Sequence, residues 1–343
     1  MTLPASVLYL AANSAAAFLT GLLVASAAVW LFRVGSSRWL PLLVSLPFVK
    51  LLWEVGQGVS SAAYAASPHL SETWDLGQFE IGAGAALPLA PIVSLRTSAL
   101  AAGERYDLSA GDALVWLMSR ELPSLVAPLA VVLVLVSAAL LVRRLAIEVR
   151  LLLRRSRVWR AGRVVERRRV WWRSVPICVS PVAEGAPYAS GLLFPYVCIP
   201  ESGAALERQE LDAVIEHELA HVAAGHIVLQ FVGRLLCDAF WFVPLIRFVE
   251  TRLRRACELS ADCAAVAAGA PALTLATAMV RVAERCCTSA AAVGAAGGQL
   301  SERVRRLVGE GGLRPRFGFQ FGWVRWVILI SVVRSVLRSG IGL

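Results

Sequence analysis

The chain has 343 residues, of which 57% are hydrophobic and only 17% charged, with a mean hydropathy of +0.65. That balance excludes an ordinary soluble domain and points to an α-helical integral membrane protein. The formal net charge of +10 is nearly all arginine, Lys50 being the only lysine; it lies beside apolar runs, so it reads as an orientation signal and no direct nucleic-acid partner is expected.

Taken in chain order, the first apolar run, about 7–32, is long enough to cross a bilayer and lacks the basic start of a cleaved signal peptide. A second, 39–56, carries Lys50 and Glu54 near its end and reads as a tilted return span. Residues 57–121 form a polar, acidic loop with three arginines, within which 81–95 is apolar but rich in Pro and Gly, as if dipping into the bilayer. A third span, 122–142, is followed at 143–173 by twelve arginines and two glutamates. The positive-inside rule places that block in the cytoplasm and the acidic loop outside. A last run, 321–337, is a fourth span interrupted by Arg325 and Arg334. The expected division is a membrane domain at 1–149, a cytoplasmic α+β unit at 150–318 and a C-terminal transmembrane helix at 319–343.

Within the cytoplasmic unit, "SVPICVSP", "APYASGLL" and "PYVCIPES" predict a small antiparallel sheet. Helical periodicity takes over from about Leu206, with Ser202 in the capping region. The stretch 227–249 is apolar apart from Arg234, Asp238 and Arg247, and fits a core helix as well as a partly embedded one. Residues 289–299 read as a low-complexity loop. The seven cysteines, at 178, 198, 237, 257, 263, 286 and 287, show no CxxC pair, so they suggest buried thiols in a reducing compartment.

The chemistry concentrates in "LDAVIEHELAHVAAGHIV", 211–228, which holds three of the four histidines. Residues four apart share a helix face, so His217 and His221 can converge on one ion, while Glu218 reaches a water on it. That is the HExxH pattern of two Zn2+ ligands and a general base. A catalytic Zn2+ wants a third protein ligand. His226 is one candidate, but it comes nine residues after His217 where a three-histidine pattern needs ten, and position 224 is alanine. The other is Glu258 in "RRACELSADCAAV", one helical turn before Asp262.

The runs "GLLFPYVCIPESGAALERQELDAVIEHELAHV" and "WFVPLIRFVETRLRRACELSADCAAV" resemble the BlaR/MecR-type membrane metallopeptidases. They share the Gly191-to-Pro195 turn, Pro200 ahead of the active-site helix, HELxH, the "WFxPL" segment, Arg255 and the ExxAD ending; "QLSERVRRLV" (299–308) resembles the segment after that family's core. The resemblance implies a gluzincin fold, with Glu258 as third ligand to one Zn2+. Asp262 would hydrogen-bond a ligand histidine, and His226 would be structural or stand behind the ligands. It implies an endopeptidase of regulatory type in the bacterial inner membrane, acting on the cytoplasmic side on a BlaI/MecI-type repressor or on its own chain. Tyr188, Tyr196 and Arg255 are candidates to steady the oxyanion. The BlaR/MecR proteins continue into an extracellular penicillin-binding sensor; this sequence ends at Leu343, and that sensor is expected to be absent.

Two other readings stay open. His226 occupies a place common in the HtpX and CAAX-prenyl-protease group, which shares HExxH and ExxAD. A non-catalytic membrane signal transducer with a degenerate protease fold is the alternative of another class, against which the intact set of motif residues argues. A transporter is disfavoured, because the spans lack internal repeats.

Overall fold

The computed structural model describes residues 3–32, 39–65, 93–95, 106–108, 114, 118, 122–201, 206–286 and 300–309. Helices α1 (Leu3–Phe32) and α2 (Leu40–Ala65) form a hairpin, and α3 (Pro123–Ala161) is a 39-residue rod. By length and composition, Ser6–Leu31 of α1 and Ser124–Ala161 of α3 can each cross a membrane. The expected span 39–56 overlaps α2, which starts at Leu40, runs on to Ala65 and is not among the described helices that pass that test. Most of 57–121, the 289–299 loop, Ser202 and the 321–337 span lie outside the described residues. From that loop, strands β1 (Val93–Leu95) and β2 (Tyr106–Leu108) pair antiparallel.

Two helices approach closely only where a side chain is missing. A Cβ on Gly21 of α1 would stand 2.8 Å from the Pro47 Cα of α2, so glycine permits this contact. Beside it Phe18 and Phe48 meet edge to face.

The arginine block does not form one unit. Its first half continues α3, because Leu145, Val149 and Leu152 keep the helical spacing between the arginines. Its second half is a strand, β3 (Arg163–Val170), pairing antiparallel with β4 (Arg173–Ser180). With β5 (Tyr188–Ser190) and β6 (Tyr196–Pro200) they make a sheet of order β3-β4-β6-β5. The expectation of an antiparallel sheet is corrected here. Strands β4 and β6 run parallel, because β5 lies outside β6 and returns the chain into the middle of the sheet.

Behind the sheet come α4 (Arg208–Ala223), α5 (His226–Ala239), α6 (Ile246–Ala267), α7 (Ala272–Cys286) and α8 (300–308). Helix α4 starts at a reciprocal cap: the Glu207 side chain accepts from the Glu210 amide, and the Glu207 amide donates to Glu210 Oε2. One face of α4 buries Ile215 and Leu219 against Val175, Ile177, Val197 and Ile199 of the sheet. Its opposite side meets Leu275, Ala276 and Leu307 of α7 and α8.

The α1–α2 hairpin and the site helices share a core. Phe18, Phe48 and Leu51 pack with Leu236, Val243, Val249 and Leu253 of the α5–α6 region. The buried Asp238 carboxylate joins α3 to α5, accepting from Arg144 Nε at 2.6 Å and from Arg247 at 3.3 Å. The stretch 227–249 therefore packs on the hairpin, while by length and composition α4 and α5 together also pass as one bent span. Cys178, Cys198, Cys237 and Cys257 are buried thiols outside any disulfide.

Candidate metal centre

His217 and His221 sit one turn apart on α4, both buried, with their Nε2 atoms 3.2 Å apart. Glu258 comes from α6, which crosses behind α4. Its Oε2 is 3.6 Å from His217 Nε2 and its Oε1 3.7 Å from His221 Nε2. One ligand atom from each of the three lies within 4.8 Å of the others, a spacing that can hold a metal ion. Two imidazole nitrogens and one carboxylate, facing an 820 Å³ cavity, fit a transition metal with an open coordination position.

The supporting residues close around these three. Asp262 Oδ1 lies 3.0 Å from His217 Nδ1, behind the ring. His226 Nδ1 lies 3.1 Å from His221 Nδ1, on the side away from Glu258. His226 thus backs His221 from the start of α5, and it stands outside the cluster of candidate ligands. Gly225, in the left-handed region at φ 67°, makes the 59° bend that brings it there.

Glu218 points into the same cavity, and one carboxylate oxygen, Oε2, accepts a 2.7 Å hydrogen bond from the Ala189 amide of edge strand β5. Burial pushes its carboxyl up to about 7, against the pull of His217. Burial would also raise Glu258, but His217, His221 and Arg303 hold it down at about 2. Burial pushes His221 down to about 3 and His226 down to about 4, so both are neutral. His217 differs: burial lowers it, but Asp262 and Glu258 outweigh that and hold it at about 9.

A consequence follows for metal uptake. With a folded-state value of about 9, above its ordinary 6.5, His217 carries a proton at neutral pH, which an incoming metal must displace. Apparent metal affinity should therefore climb with pH, by up to about tenfold per unit, and level off above about pH 9. Calorimetry in buffers of different ionisation enthalpy should count about one proton released per metal at neutral pH. A pH-independent affinity would contradict this arrangement.

The family model described as BlaR1 peptidase M56 matches residues 112–307 of this chain. The chain belongs to the BlaR1 peptidase M56 family. Members of this family are metallopeptidases, and the His217–His221–Glu258 cluster lies inside the matched segment. The chain is also similar to the regulatory protein BlaR1 of Bacillus licheniformis, at 26% identity over 77 residues. That match covers 22% of this chain and 13% of the relative. No solved structure matches.

Of the remaining candidates in this M56 chain, Tyr188 lines the cavity. Tyr196 does not; it stacks on Trp159 with ring centroids 4.9 Å apart, at the α3 end of the sheet. Arg255 lines the cavity and is ion-paired with Glu302 of α8. Two further contacts have no local signal in the sequence. One is the Ala189 amide on Glu218. The other is Arg303 of α8, whose guanidinium grips both Asp262 oxygens at 2.7 and 2.8 Å and reaches Glu258 Oε2 at 2.9 Å. It also lies 3.3 Å from His217 Nε2. The "QLSERVRRLV" segment resembles a family feature, but nothing local to it points at Asp262, 41 positions away.

Proposed function

We propose that this chain is a membrane-embedded zinc endopeptidase of regulatory type. It would cleave a cytoplasmic protein, a BlaI/MecI-type repressor by resemblance, or its own chain. The observation that carries this reading is the convergence of His217, His221 and Glu258 beside a separately held Glu218 in one cavity. His217, His221 and Glu258 would hold one Zn2+, with Asp262 orienting His217. A bound zinc would supply Lewis acidity, lowering the pKa of a water and polarising a peptide carbonyl.

The chain's own residues would do the rest. Glu218, fixed at one oxygen by Ala189, has its other oxygen free to take a proton from water and pass it to the leaving amine. Its raised value suits that exchange near neutral pH. Edge strand β5 lines the same cavity, and an extended peptide would lie along it. Tyr188 and Arg255 line the cavity and stay candidates for the oxyanion. Four spans, the units 1–149, 150–318 and 319–343, and a site on the cytoplasmic face of the bacterial inner membrane complete the proposal. The arginines following α3 support that orientation.

The test compares membranes of cells making the wild type with those making Glu218→Gln, by mass spectrometry of new protein N-termini. The reading expects N-termini inside a DNA-binding repressor or inside this chain that vanish in the variant. The same set of N-termini from both would exclude it.

A further inference from the structure

At the far end of the sheet from α3, the two-residue turn between β3 and β4 is Trp171–Trp172, exposed by 73% and 80%. Trp171 has φ 55°, the left-handed region that such turns normally fill with Asn, Asp or Gly. A bulky residue there costs about 1–2 kcal/mol, and two indoles in water add to that cost. A turn chosen for stability would carry neither tryptophan. Beside it the Gly191–Pro195 turn presents Leu193 and Phe194, exposed by 73% and 86%. A shallow 300 Å³ cavity lies between the turns, with exposed Val228 of α5 on its wall.

Charge surrounds this apolar tip. Arg167 and Arg169 alternate along one side of β3, and Arg173 follows the turn, all three exposed. Arg168, on the other side, is paired with Glu166 and Glu216. Among the described residues no carboxylate lies within ion-pair distance of Arg167, Arg169 or Arg173.

The height of the tip relative to the bilayer can be read from packing. Val29, three residues before α1 ends, and Leu40, which opens α2, pack on Ala256 and Leu259, within two residues of Glu258 on α6. One end of the α1 span is therefore level with the metal cluster. Trp171 Nε1 donates to the Ala223 carbonyl at 3.3 Å, two residues beyond His221. At 1.5 Å per helical residue, Ala223 lies about 3 Å along α4 from His221, so the tip is anchored beside the metal cluster. The headgroup zone is itself about 5–7 Å deep on each side.

We infer that the Trp171–Trp172 tip and the Leu193–Phe194 turn dock into the bilayer interface, their arginines resting on anionic phospholipid headgroups. Indole rings favour that zone because an apolar body can sink while the N–H stays wet. Exposed arginines add attraction of about 1 kcal/mol each at an anionic surface. The catalytic cleft, which shares Gly191, Leu192 and His221 with this region, would then be seated against the membrane by a second contact independent of the spans. The inference needs α1 to be membrane-spanning but does not need the peptidase reading.

The test uses the full chain, one per nanodisc, in phosphatidylcholine with about 30% phosphatidylglycerol and acyl chains brominated close to the headgroup. The chain has eleven tryptophans, so the signal is the emission lost in Trp171→Phe/Trp172→Phe. The inference expects that component to be blue-shifted and several-fold weaker in brominated than in plain lipid. Omitting phosphatidylglycerol, or making Arg167→Gln/Arg169→Gln/Arg173→Gln, should reduce the quenching. A component emitting like indole in water overturns the inference. So does one that is shielded yet unquenched, which would mean a protein partner or second copy covers the tip. Quenching indifferent to both phosphatidylglycerol and the arginines overturns the role given to anionic headgroups.

Discussion

Replacing Arg303 with alanine should weaken metal binding by about 10- to 100-fold, the usual effect of losing a residue that holds the ligands in place. It should also lower the unfolding temperature. The cause is Asp262, whose side chain is only 2% exposed and which takes two hydrogen bonds from Arg303. Without the guanidinium, a buried carboxylate keeps only its contact with His217. Breaking a buried ion pair costs about 3–5 kcal/mol; the lower end applies here, because the His217 contact survives. Glu258, a third exposed, contributes less to that cost. Arg303→Lys should recover part of the stability but not the two-pronged grip, since an ammonium is a point charge. A competition titration with a chelating dye, together with thermal unfolding, checks both. An alanine variant with unchanged metal affinity and unchanged unfolding would show that Arg303 is a surface pairing with no hold on the site.

Glu258→Ala should have the larger effect on the metal. It leaves His217 and His221 as a two-nitrogen pair, with no carboxylate to complete the set. The expected loss is on the order of a thousandfold in affinity, about 4 kcal/mol. The metal-free chain should lose some stability too, because the cations that hold the Glu258 carboxyl at about 2 lose a partner, Arg303 at 2.9 Å among them. His226→Ala, by contrast, should leave stoichiometric metal in place, because that ring touches His221 from behind and lies outside the cluster. If His226→Ala strips the metal while Glu258→Ala does not, the ligand assignment is wrong.

How far the site could be read from residues alone depended on distance along the chain. His217, Glu218 and His221 were legible because helix geometry fixes what four-residue spacing means. Glu258 and Asp262 gave only a weak local pattern and needed the family resemblance to become a site. Arg303 and the Ala189 amide were not legible, since both contacts are made by tertiary packing across tens of residues. The nine-residue spacing of His226 from His217 already argued against a third histidine ligand, and the bend at Gly225 sets it behind His221.

The fold shows the same division. The spans of α1 and α3 are written in unbroken apolar runs, but the continuation of α3 to Ala161 was hidden by arginines that lie between apolar residues at 145, 149 and 152. Strand β3 was missed for a related reason. Its arginines mask any alternation, as suits an edge strand that must not pair with other chains. The parallel pairing of β4 with β6 depends on where β5 lies, and no local signal sets that.

In the proposed reaction a metal held by His217, His221 and Glu258 works with Glu218 to hydrolyse peptide bonds. Metal content and proteolysis, read in the same purified preparations of wild type and Glu218→Gln, test it. About one zinc per chain is expected in both, with cleavage reduced by about 10²- to 10⁴-fold in the variant. Wild type without stoichiometric metal, or a metal-loaded Glu218→Gln that cleaves as fast as wild type, would contradict it.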